Sequence, residues 1–117
     1  MEISVLIQNR TLIVSLAGEL DHHGAKELKN MVEEFIKNRG ILNVIFDLSS
    51  LSFMDSSGIG FIVGRYKLIS ALGGNVVIVS KNRTIDRLLT MSGIVKLIPT
   101  TKSICSALCA VQEGVAE

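Results

Sequence analysis

A chain of 117 residues is long enough for one hydrophobic core and too short for two, and at 48% apolar residues it has the material to fold. Lys plus Arg total 12 against 11 Asp plus Glu, a formal charge of +1, so there is no basic footprint for nucleic acid; 4% aromatic residues without Trp supply no base-stacking platform. No apolar run reaches the ~20 residues of a membrane span. The start Met1-Glu2-Ile3-Ser4 lacks the basic region of a secretory signal. The two cysteines, Cys105 and Cys109, lie one helical turn apart and frame no disulfide scaffold, which suits a reducing, cytoplasmic setting.

In chain order, Ile3–Gln8 and Thr11–Ala17 are apolar segments separated by Asn9-Arg10. Asn tolerates positive φ, so the spacing predicts a hairpin. Ala25, Leu28, Val32, Phe35 and Ile36 recur at helical spacing between Asp21, a natural N-cap, and Gly40, a natural stop. Ile41–Leu48 is β-branched and apolar and suits a central strand. A long helix is expected from Ser56 to Leu72, closed by Gly73-Gly74, then a strand at Val76–Val79. Ile85, Leu88 and Leu89 mark a short helix ended by Ser92-Gly93. Ile94–Ile98 reads as a short edge strand stopped by Pro99. Ile104, Cys105, Leu108, Cys109 and Val111 give a last amphipathic helix, with the cysteines in core packing and not in a metal site. A hairpin followed by alternating strands and helices is an α/β pattern: one domain over residues 1–117, a mixed sheet of four to five strands, and about four packed helices.

The informative stretch is Phe53-Met54-Asp55-Ser56-Ser57-Gly58-Ile59-Gly60. Asp55 or Ser56 can cap the helix, whose first turn offers unpaired N–H groups and about half a positive charge, a ready place for an anion. The same residues also serve if they are only a good cap. At ~100° per residue, Ile59, Ile62, Val63, Tyr66 and Ile69 fall on one side, the expected core face, widened by Phe61, Leu68 and Leu72. The remaining strip holds Ser56, Ser57, Gly60, Gly64, Lys67 and Ala71. Gly inside a helix costs about 0.5–1 kcal/mol against Ala, so Gly60-x-x-x-Gly64 asks for a close approach, from a partner or from within the domain.

Enzyme chemistry finds little support. A nucleophilic serine needs a base and an orienting acid, and the Gly-x-Ser-x-Gly elbow is missing because Asp55 and Met54 stand where glycine is required. His22 and His23 are adjacent, point in different directions, and read as a polar helix start. Gly58-Ile59-Gly60 with Gly64 is one residue too long for a dinucleotide fingerprint, and no Walker A is present. A hydrolase or nucleotide-handling protein built on Ser56 and His22 stays as the alternative.

Asp55-Ser56-Ser57-Gly58-Ile59-Gly60, preceded by Leu51-Ser52-Phe53-Met54 and followed by Gly64-Arg65-Tyr66-Lys67, resembles the phosphorylation segment of the anti-sigma factor antagonists, the STAS domains. Gly18-Glu19-Leu20-Asp21-His22-His23 resembles that family's other hallmark loop, and Gly73-Gly74 and Met91-Ser92-Gly93 fall at matching places. The combination points to the sporulation branch. The resemblance spans essentially the whole chain and implies a non-enzymatic protein switch without cofactor or metal. In such switches the unmodified antagonist binds an anti-sigma factor that is also a serine kinase. Binding frees the sigma factor, which the antagonist meets only indirectly. The kinase then phosphorylates the serine after the motif aspartate, and a PP2C-type serine phosphatase reverses the step.

Helical geometry alone leaves Ser56 and Ser57 both open; Ser56 lies at the very tip and projects more freely. The family position selects Ser56, with Ser57 in reserve. Asp55, Ser57 and Gly58 would then form the phosphate environment. Asp21, His22, Ile59, Gly60 and Gly64 would meet the partner. The chain is expected to act in the cytoplasm as a monomer when free, away from nucleic acid and membrane. A STAS module of another signalling complex would share this chemistry and change only the partner.

Overall fold

The computed structural model describes residues 1–113. The chain opens with β1 (Glu2–Gln8) and β2 (Thr11–Leu20), an antiparallel hairpin closed at Gln8↔Thr11 with Asn9 at φ 58°. Then follow α1 (His22–Arg39), β3 (Asn43–Met54), α2 (Ser56–Ala71), β4 (Val76–Val79) and α3 (Arg83–Ser92). A single 3-10 turn at Ile94–Lys96, the short β5 (Thr100–Thr101) and α4 (Ile104–Glu113) complete it. The caps fall where the sequence places them: Asp21 starts α1, Gly40 ends it at φ 62°, and Gly93 ends α3 at φ 81°.

The five strands lie in sequence order, β1-β2-β3-β4-β5, and every pair after the hairpin is parallel. Parallel crossovers are almost always right-handed. Three successive steps in one direction therefore put α1, α2 and α3 on one face of the sheet. Strand alternation divides the core to match. Leu12, Val14, Leu16, Val44, Phe46 and Leu48 face those three helices, while Ile13, Ile45, Val77 and Val79 face Ala107, Ala110 and Val111 of α4.

Five expectations need correction. β3 does not stop at Leu48 but runs on to Met54, and Gly18–Leu20 belongs to β2 instead of a loop, because the two segments pair with each other along their length. Ile94–Ile98 is not a strand. A strand would place Lys96 on the same face as the buried Ile94 and Ile98, whereas the 3-10 turn sends Lys96 to solvent. The edge rungs beside Ile78 and Val79 go to Thr100 and Thr101. Cys105 and Cys109 are exposed, since α4 buries Ala107, Ala110 and Val111. In α2 the buried set is Gly58, Phe61, Ile62, Arg65 and Ile69, with Ile59, Val63 and Tyr66 on the half-buried flank. The helix is turned because Phe61 packs edge-on against Phe46, ring centroids 5.4 Å apart, and because Glu33 of α1 meets Arg65.

Candidate functional site

β2 and β3 end side by side. Leu20 pairs with Met54, and the Asp55 N–H donates to the Leu20 carbonyl at 3.3 Å. Each strand passes straight into an aspartate and then a helix. Asp21 has φ −102°, ψ −174° and Asp55 φ −104°, ψ −172°, the extended geometry of an N-cap. The Gly24 amide donates to Asp21 Oδ1 at 2.9 Å, and the Ser57 amide donates to Asp55 Oδ1 at 2.9 Å. The Gly24 amide holds the Asp21 carboxyl below the usual carboxylate range. Two helix N-termini thus stand together at the C-terminal ends of two neighbouring interior strands.

Gly58 lets α2 press against those strand ends. A Cβ there would run into Met54 and come within 3.0 Å of Leu20 Cδ2. Gly58 is buried, so it seats the helix and offers no surface. Ser56, the first helical residue, is exposed. It borders a shallow cleft of about 290 Å³ with Asp55, Ile59, Leu88, Met91 and Ser92. Met91, at 74% exposed, leaves that cleft with an apolar wall. Ser57 turns the other way: it is half-buried, and its Oγ lies 3.3 Å from His22 Nδ1, within hydrogen-bond reach. The structure therefore brings the Asp21–His22 segment beside the serines, and His22 beside Ser57 in particular. The Asp21 carboxylate is occupied by Gly24, so it does not orient His22 as a triad acid would.

Among the described residues, no other element packs against the space a side chain would take at Gly60 or Gly64. A Cβ at either position meets no atom within 4 Å, so the strip they form is open to a partner. Among the described residues no group of three or more His, Cys, Asp or Glu could hold a metal ion, and no helix is long and apolar enough to cross a membrane.

Sequence reasoning missed two features. Leu88 and Met91 of α3 join the Ser56 cleft; the match around Met91-Ser92-Gly93 hinted at a role but not at this contact. Arg65 is the other. Its side chain is only 10% exposed; Nη2 donates to Glu33 Oε2 at 3.0 Å, and its Cζ lies 5.3 Å from the Phe61 ring centroid. Arg65 Nε and Nη1 are buried without a hydrogen-bond partner. Its spacing of four from Phe61 was the available signal, because helical neighbours at i and i+4 meet.

The STAS domain profile matches residues 2–107. The anti-sigma F factor antagonist of Paenibacillus polymyxa is 43% identical over 97 residues, 83% of either chain. The structure of the anti-sigma factor antagonist SpoIIAA in its unphosphorylated form superposes with a TM-score of 0.76 at 22% identity, covering 97% of this chain and 99% of that one. SpoIIAA of Bacillus in the phosphorylated form superposes at 0.74 with 25% identity, over 94% of this chain and 99% of that one. With the two capped helix starts, the exposed serine and these likenesses together, the chain belongs to the STAS domain family, among the anti-sigma factor antagonists.

Proposed function

We propose that this antagonist binds an anti-sigma factor of the sporulation type through the face formed by Ser56, Ile59, Gly60 and Gly64 with Asp21 and His22 beside it. In this reading the bound regulator is also a serine kinase and releases its sigma factor on binding; it then phosphorylates Ser56, and a PP2C-type phosphatase resets the switch. The antagonist itself acts as a cytoplasmic monomer of one domain and catalyses nothing. One observation carries the choice of residue: Ser56 is exposed at the helix tip, whereas Ser57 is half-buried against His22. The second reading, a hydrolase using Ser56 and His22, loses ground on the same geometry, since His22 neighbours Ser57.

The sign of the switch follows from electrostatics. A phosphoserine carries about −1.5 to −2 charges at pH 7. Over the start of α2 it gains roughly 0.3–1 kcal/mol from the helix dipole, less the repulsion of Asp55. The free domain tolerates it without refolding. SpoIIAA has this same overall fold in its unphosphorylated and its phosphorylated form. Buried against a partner without a compensating cation, the same charge costs several kcal/mol, and every ~1.4 kcal/mol is tenfold in affinity.

The test is to incubate the chain with ATP and the anti-sigma factor of the same organism and map the modified residue. Phosphate is expected on Ser56 alone, and Ser56→Ala is expected to abolish its uptake. Full uptake by Ser56→Ala would refute the assignment, and turnover of a substrate by the isolated chain would favour the hydrolase.

A further inference from the structure

We propose that the groove between α1 and α2 receives a carboxylate side chain of the docked protein, with Arg65 as the recessed anchor and Lys26 and Lys29 as the rim. The inference rests on the reading that an anti-sigma factor docks on the adjoining Gly60–Gly64 face. The groove, about 350 Å³, runs alongside that face from His22 and Ser57 to Arg65. Its charged lining residues, Lys26, Lys29 and Arg65, are all cationic; among the described residues no carboxylate lines it, Glu33 reaching Arg65 from outside the groove lining.

Arg65 makes this more than a patch of surface lysines. Its side chain is nine-tenths buried over the Phe61 ring, and among the described residues two of its three guanidinium nitrogens, both buried, have no partner. A buried charge with unmade hydrogen bonds is unfavourable unless something completes them. A fixed guanidinium is preorganised for a carboxylate, which accepts two parallel N–H bonds. The present counter-ion, Glu33, is 31% exposed and can yield or share its place with an incoming acid. An aspartate or glutamate on a docked chain suits this geometry better than a free ion. The groove is open along its length, so a free ion keeps its water, whereas a chain lying on the Gly60 side covers the site and strengthens the pairing.

The test measures binding of the whole chain to the anti-sigma factor of the same organism at low and high salt. It compares wild type, Lys26→Glu/Lys29→Glu and Arg65→Lys, while following the Arg65 Nε–H signal by NMR. The double variant changes only exposed side chains and keeps the test valid if Arg65→Lys folds poorly. Expected are a loss of affinity of about tenfold or more for the double variant at low salt, a flattened salt dependence, and a shift of the Arg65 Nε–H signal on complex formation. If the double variant binds like wild type at both salts and that signal stays put while Ser56→Glu abolishes binding, the groove assignment is overturned and the docking face stands. If wild type does not bind at all, the docking reading fails and this one with it. If inorganic phosphate alone shifts the Arg65 signal as fully as the complex does, the groove is a free-anion site and the proposal is wrong.

Discussion

The chain builds the same junction twice and uses the two copies differently. Asp21-His22-His23-Gly24 and Asp55-Ser56-Ser57-Gly58 each follow a parallel strand end, cap a helix with almost identical backbone angles, and place glycine at the third helical position. The first glycine is less tightly enclosed: an added Cβ would come within 3.1 Å of the terminal methyl of Met1, the far end of a flexible side chain, and within 3.4 Å of Asp21 Oδ1. The second is closed off by Met54 and Leu20. Beyond the caps, α1 ends in Lys37 and Arg39, favourable at a helix C-terminus, while α2 carries the bare glycine strip. Cap physics is therefore common to both. What separates the two junctions is the residue at the tip and the face that follows it.

The largest effect should come from the tip. Ser56→Asp is expected to lower affinity for the anti-sigma factor by about 100-fold, near 2.7 kcal/mol, with an unchanged melting temperature; calorimetric titration and thermal denaturation check both halves. Gly58→Ala should cost about 1–3 kcal/mol in urea unfolding through overpacking. Gly24→Ala should be neutral or slightly stabilising, and equal costs at the two glycines would erase the asymmetry. Next, Asp21→Ala and Asp55→Ala should each lower the urea unfolding midpoint by loss of a cap, and similar shifts would confirm that the caps are equivalent. The smallest effect is a pH dependence. The folded-state pKa of Asp21 lies below its ordinary 3.8, so its contribution is full above that value and fades as pH falls through the folded pKa. Asp21→Asn keeps a capping oxygen and should flatten that part of an acid unfolding curve.

Local chemistry made much of this legible. Asp21 and Gly40 bounded α1, Val76–Val79 was placed to the residue, and the Asn9-Arg10 turn announced the hairpin. The errors came where distant residues decide. The continuation of β3 through Ser49–Met54 is polar in places and draws its stability from β2, so nothing local marks it. Arg65 breaks the rule that arginine faces water because Glu33, far away in sequence, meets it, and this rotates the buried face of α2. Within the candidate site, the cap and the exposed serine could be read directly. The pairing of Ser57 with His22 and the α3 wall of the Ser56 cleft depend on which helices become neighbours.

Between the rung Ser15↔Asp47 and the rung Leu20↔Met54 the chain takes five steps on β2 and seven on β3, absorbed by two register shifts. Those two surplus residues act as a length adjustment that brings the helix starts level. Deleting one of them would draw the α2 tip back by about 3.3 Å, one strand residue, and carry Ser57 out of reach of His22. Anyone transplanting this Asp-Ser-Ser-Gly segment into another parallel sheet must copy the stagger as well as the letters.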